Sequence, residues 1–174
     1  TQSITIFGSG TYSVTISDSF GCTASSQSVI ISVYNTPVIT TTGNSALCMG
    51  TSMMLTASGA ASYSWIPNTG LSSSIGASVI ASPTILSTYS VIGTNGGGCN
   101  DTVSITITVN PLPAINITGN NSFCEGSSTT LTASGGTTYA WAPVSGLSSN
   151  TSSVVIVSPS INTTYTITGT NNFS

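Results

Sequence analysis

Apolar and hydroxyl-bearing residues alternate with a period of two along most of this chain. Ser104-Ile105-Thr106-Ile107-Thr108-Val109 sets Ile and Val on one face and Ser or Thr on the other. Ser13-Val14-Thr15-Ile16-Ser17 and Thr164-Tyr165-Thr166-Ile167-Thr168 do the same. Successive strand side chains point to opposite faces, so the pattern predicts half-buried β-strands, which β-branched residues favour. Gly, Asn, Pro and Ser fill the intervals as turn residues. No stretch has helical periodicity. In residues 37–112 the pattern predicts strands near 38–42, 53–58, 62–66, 77–81, 88–94 and 102–109. Six or seven short strands in so short a span predict a small all-β sandwich.

The pattern repeats. The shift that carries Cys48 onto Cys124 lays 35–98 on 111–174 without a gap, and 30 of those 64 positions are identical. The matches include Cys48/Cys124, Leu55/Leu131, Tyr63/Tyr139, Trp65/Trp141, Pro67/Pro143, Gly70/Gly146 and Tyr89/Tyr165. Near the N-terminus, Tyr12-Ser13-Val14 matches Tyr89-Ser90-Val91, and Gly21-Cys22 matches Gly98-Cys99. Three units follow: the C-terminal part of a first repeat (1–36), a complete repeat (37–112), and a third repeat lacking its last strand (113–174). Proline-bearing joints separate them, at Val33-Tyr34-Asn35-Thr36-Pro37 and Val109-Asn110-Pro111-Leu112-Pro113. Neither end falls where a unit would, and Thr1-Gln2-Ser3 is no charged leader region, so the expectation is a window on a longer head-to-tail array. The open edge of the third unit admits a strand from another chain, although truncation is the simpler reading.

Spacing refines the sandwich. Leu55 stands ten residues before Trp65, and Val91 follows Tyr89 by two. In an immunoglobulin-like sandwich a buried Trp on the third strand packs on the residue pair linking strands B and F, and a corner Tyr precedes the F member by two. Leu55, Trp65, Tyr89 and Val91 fit those positions, and Leu131, Trp141, Tyr165 and Ile167 repeat the set. These aromatics are therefore read as core residues rather than glycan platforms.

Composition narrows the chemistry. The chain has no Lys, Arg or His, and Asp18, Asp101 and Glu125 are its only formal charges, for a net charge of −3 over 174 residues. Nucleic-acid binding needs cations to displace phosphate counterions, and none are present. Acid–base or nucleophilic catalysis would lack a His or Lys base, and the three carboxylates are scattered, so no enzyme and no catalytic residue is predicted. No C-x-x-C pattern suggests a metal site, and one carboxylate at Glu125 makes a weak calcium ligand, so no cofactor is predicted. No apolar run is long enough to span a membrane. Disorder is disfavoured by 39% hydrophobic residues and a mean hydropathy of +0.38. Ser and Thr together make 64 of the 174 residues, so hydroxyls, not ions, hold the surface in water. So few titratable groups also predict a stability that barely responds to pH.

Four cysteines without a metal pattern point to disulfides and an oxidising, extracellular compartment. Two pairings stand open for Cys22, Cys48, Cys99 and Cys124. One is an ordinary Cys48–Cys99 bridge within a unit. The other staples neighbours: in a head-to-tail array the pole that carries Cys48 meets the pole of the next unit that carries its counterpart of Cys99, which the shift places just beyond Ser174.

Taken together, the run Cys48-Met49-Gly50-Thr51-Ser52-Met53-Met54-Leu55-Thr56-Ala57-Ser58-Gly59 and the motifs Tyr63-Ser64-Trp65-Ile66-Pro67, Gly70-Leu71-Ser72, Ser82-Pro83 and Thr88-Tyr89-Ser90-Val91 resemble a known family. It is the immunoglobulin-like or PKD-like repeats of very large secreted proteins of Bacteroidota. The resemblance covers the whole chain and implies stalks or fibres exported by the type IX secretion system, some of them gliding or attachment adhesins. Family members usually carry some Lys and Asp, whose near absence here departs from the pattern. Asp101-Thr102-Val103 resembles the Bacteroidota O-glycosylation motif at Thr102, and Asp18-Ser19-Phe20 is a poorer match at Ser19.

The functional expectation is a repeat segment of an extracellular or cell-surface fibre whose partners are further copies of the same repeat. The strands carry no edge Lys to guard against edge pairing, which predicts lateral self-association. An adhesin repeat binding glycans or surfaces is the alternative, with Phe7, Phe20, Tyr34 and Phe123 as its candidate aromatics, and a passive spacer in a larger secreted enzyme is a third reading.

Overall fold

A computed structural model describes residues 3–173, and residues 1, 2 and 174, at the outer limits of the first and third units, lie outside the described residues. The described residues form an all-β structure with no helix. The N-terminal segment holds β1 (Gly10–Tyr12), β2 (Thr15–Ser17), β3 (Thr23–Ser25) and β4 (Val29–Ile31). These pair antiparallel as β1 with β4 and β2 with β3, one long hairpin interrupted midway. Most of its side chains are exposed.

The middle segment holds β5 (Thr40–Thr42), β6 (Ala46–Cys48), β7 (Met53–Ser58), β8 (Ser62–Ile66), β9 (Ser78–Ala81), β10 (Ser87–Thr94) and β11 (Asn100–Asn110). One sheet runs β5-β7-β9 and the other β6-β11-β10-β8. A single buried cluster joins them, with Leu55, Ala57, Val79 and Ala81 from the first sheet and Leu47, Trp65, Tyr89, Val91 and Ile107 from the second. Two layers thus share one core, as in a β-sandwich. The period-two pattern accounts for this directly: in β10, Tyr89, Val91 and Gly93 are buried while their neighbours are not.

Outward residues pair by hydroxyl. Thr88 Oγ1 meets Thr106 Oγ1 at 2.9 Å, Ser90 Oγ meets Ser104 Oγ at 2.7 Å, and Thr40 Oγ1 meets Ser58 Oγ at 2.7 Å. Directly opposed Thr and Ser contribute to sheet stability as cross-strand pairs.

The strand at 38–42 is shorter than the alternation predicts, and β6 lies outside the predicted set. The chain leaves the first sheet after Thr42 and joins the second, where Ala46, Leu47 and Cys48 pair in parallel with Thr108, Val109 and Asn110. Three residues with one buried side chain carry no readable period. Only the distant β11 fixes their conformation.

The C-terminal segment holds β12 (Asn116–Gly119), β13 (Thr129–Ser134), β14 (Thr138–Ala142), β15 (Val154–Val157) and β16 (Thr166–Thr170). Its sheets run β12-β13-β15 and β14-β16. Contacts recur here at the spacing of the sequence repeat. Trp65 Nε1 donates to the Gly76 carbonyl at 3.0 Å, and Trp141 Nε1 to the Ser152 carbonyl at 2.9 Å. Tyr89 Oη donates to the Thr69 carbonyl at 2.9 Å, and Tyr165 Oη to the Ser145 carbonyl at 2.6 Å. Each tyrosine acceptor precedes a glycine at positive φ, Gly70 at 75° and Gly146 at 74°, so the turn that presents the carbonyl needs a residue without Cβ.

Tyr89→Phe is expected to lower unfolding stability by about 1 kcal/mol through one lost hydrogen bond, and Trp65→Ala by about 3–5 kcal/mol through a core cavity. Urea unfolding followed by circular dichroism checks both, and equal losses would contradict this account.

Candidate functional site

The candidate catalytic and ligand-holding groups do not converge. Among the described residues no three of Cys, Asp or Glu gather where they would hold a metal ion. No helix among them is long and apolar enough to cross a membrane. The aromatic residues of the two core sets point inward: Trp65 and Tyr89 are almost fully buried, Trp141 is buried, and Tyr165 is half-buried. Thr102 is exposed on β11 opposite Ile92, and Ser19 is exposed in the β2–β3 turn.

The features that set this chain apart lie at its two joints. The turns before Cys22 and Cys99, and the equivalent segment after Asn171, are each organised by one Asx side chain. Asp18 Oδ1 accepts from the backbone N–H of Phe20 and of Cys22, both at 2.9 Å. Asn95 Oδ1 accepts from Gly97 N–H at 2.9 Å and Cys99 N–H at 3.0 Å. Asn171 Oδ1 accepts from Phe173 N–H at 3.2 Å. Asp and Asn close such turns because a short side-chain oxygen reaches the backbone two to four residues on.

Asparagine has a second group to use. Asn95 Nδ2 donates to the Asn35 carbonyl at 2.6 Å, and Asn171 Nδ2 to the Pro111 carbonyl at 2.9 Å. The repeat shift carries Asn35 onto Pro111 and Asn95 onto Asn171. One amide therefore closes a turn with its oxygen and ties that turn to the preceding segment with its nitrogen. Asp18 closes its turn equally well, but a carboxylate has no N–H to donate. The ring of Tyr34 lies over Gly97 so closely that any Cβ there would collide with it.

Cys48 and Cys99 sit beside the same joints, and none of the four cysteines is paired with another among the described residues. Cys99 Sγ donates to the Tyr34 carbonyl at 3.5 Å, and Cys48 Sγ to the Phe173 carbonyl at 3.8 Å. Cys22 and Cys124 are exposed. Cys48 pairs in register with Asn110, the last residue of β11, and Cys99 immediately precedes its first. At about 3.3 Å per residue the length of β11 sets their Cα atoms roughly 35 Å apart, whereas a bridge needs Cα atoms about 4.4–6.8 Å apart.

A third feature is a groove of about 930 Å³ in the C-terminal segment, lined by Phe123, Leu131, Trp141, Val157 and Tyr165 among others. In the middle segment the corresponding space holds Ile107 of β11, which is fully buried. Phe123 packs on the core beside this groove, Tyr34 lies over Gly97 while 55% exposed, and Phe7 and Phe20 are exposed.

The Asx latch was absent from the sequence expectations, yet it has a signal. Asp18 and Asn95 each stand four residues before a Gly-Cys cysteine, at equivalent places in the repeat. Asn95→Ala removes both turn bonds and the tie to Asn35. Chymotryptic cleavage after Tyr34 is expected to accelerate roughly fivefold to tenfold, as a loss of about 1–1.5 kcal/mol of local closure implies. An unchanged rate would contradict the latch. No family model matches the chain, and no curated protein matches it.

Proposed function

We propose that this chain is a structural segment of an extracellular fibre, filament or cell-surface stalk, built from immunoglobulin-like sandwich units joined head to tail. The observation that carries the reading is the recurrence of one joint. Asn35 with Asn95, and Pro111 with Asn171, make the same side-chain-to-carbonyl bond at the period of the sequence repeat. A joint repeated with one geometry gives each unit a fixed rotation and translation on the last, which is what a straight or regularly coiled rod requires. The strand order supports the immunoglobulin-like reading. β5, β7 and β9 correspond to strands A, B and E, and β6, β11, β10 and β8 to A′, G, F and C. The absence of Lys and Arg supports an exposed, secreted setting, because trypsin-like proteases find nothing to cut.

Side-by-side association belongs to the reading, and the edges of the middle segment direct where it would run. Ser72 Oγ accepts from the N–H of Ile80 at 2.9 Å on edge strand β9, and Ser148 Oγ from Ile156 N–H at 2.9 Å on β15. Ser72 N–H also donates to the Ile80 carbonyl at 2.8 Å. Serine segments thus guard these edges in place of Lys. The outward sheet face is less protected: Met54 and Ile80 pair in register and are 64% and 52% exposed. Sheet faces, not strand edges, are the proposed lateral contact.

Arrays of four or more units, imaged by negative-stain electron microscopy, are expected to be straight rods lengthening by about 40 Å per unit, from strands of five to seven residues plus loops. Freely bending chains would overturn the proposal. Met54→Ser combined with Ile80→Ser is expected to reduce bundling at high concentration while leaving the rods intact, and bundles of unchanged thickness would exclude that face.

A further inference from the structure

The two joints each show half of one cysteine pair. At the joint after β11, Cys48 lies opposite Asn110 and within 3.8 Å of the Phe173 carbonyl, in the turn that Asn171 organises. Phe173 stands where Gly97 stands in the middle segment, two residues before the cysteine position. At the joint before β5, the arrangement is seen from the other side. Cys99 lies 3.5 Å from the Tyr34 carbonyl, and the repeat shift carries Tyr34 onto Asn110, the register partner of Cys48. Laid on each other by that shift, the two joints bring a Cys48-type thiol and a Cys99-type thiol to the same strand end. Paired strands lie about 4.8 Å apart, so a thiol on the register partner of the Tyr34-type residue stands within the reach of a bridge from a thiol 3.5 Å from its carbonyl. The Asn latch and the Tyr34–Gly97 contact fix that turn independently of either sulfur.

We infer that consecutive units are joined by a disulfide from the Cys48-type thiol of one unit to the Cys99-type thiol of the next. The inference rests on the head-to-tail reading above. In forming the bond the two thiols give up two protons and two electrons to a disulfide oxidant, such as glutathione disulfide, which leaves as two thiols. The position of the bond across the joint, not within a unit, makes each bridge a clamp on orientation. Cys124 and Cys22 are then the corresponding thiols facing the next unit and the preceding one.

The test adds a Cys99-type thiol beside Cys48. The full chain is extended after Ser174 by a second copy of residues 99–110 and folded in a glutathione redox buffer. Non-reducing peptide mapping is expected to link Cys48 to the appended cysteine. A Cys48–Cys99 link, or a Cys48 that still alkylates fully in the folded product, overturns the staple. Amide exchange of β16 separates this from the parent reading. If β16 gains protection, the appended strand has completed the sheet, so free thiols then refute the staple alone. If β16 gains no protection, the unit reading fails as well. Should the extended chain not fold, Phe173→Cys in the original chain decides the question. Oxidation by glutathione disulfide is expected to join that position to Cys48, and its failure to do so overturns the inference.

Discussion

The middle segment is arranged around the burial of Trp65 between two sheets. The indole is 1% exposed, yet its N–H is satisfied by the Gly76 carbonyl. That bond requires residues 70–76 to run across the open side of the sandwich. The backbone N–H of Trp65 donates to Ser74 and Gly76 N–H returns to Tyr63, so the crossing segment is sewn to β8. Ser72 then caps the N–H of Ile80 on β9 in the other sheet. A buried donor without a partner costs about 1–3 kcal/mol, so the packing of one aromatic dictates the path of the segment that closes the edge.

The C-terminal segment shows the same constraint where no described strand pairs with β16 on the side that β11 takes beside β10. Trp141 keeps its hydrogen bond and stays buried, because its acceptor lies in its own segment. Leu131, Tyr165 and Ile167 are only half-buried, because the place of Ile107 is a groove. Side-chain identity at these positions is shared between the two copies or nearly so, and only the facing strand differs. Burial here is a property of the layer, not of the residue.

A surface without cations and nearly without anions is held by short-range contacts instead. Opposed Thr and Ser hydroxyls bridge the strands, and Asx oxygens close the turns. These bonds act within about 3 Å and are far less sensitive to salt than ion pairs are. They also fix geometry better than surface ion pairs between long flexible side chains, which lose rotamer freedom when they pair. The joints use the same chemistry, with one asparagine serving as both turn closure and tie.

The sequence by itself determined the β class, the repeat and the core. Alternation places every second residue on one face, and a period of two is local, so Leu55, Trp65, Tyr89 and Val91 were legible as inward residues. It did not reveal β6, whose three residues become a strand only by pairing with β11 far along the chain. Nor did it reveal the serine caps at Ile80 and Ile156, or the asparagine amides that reach across the joints. Those depend on which carbonyl or N–H is left unpaired once the sheets have closed. Tertiary structure alone decided them, because a polar group's partner is set by what lies within about 3 Å of it and not by its place in the chain.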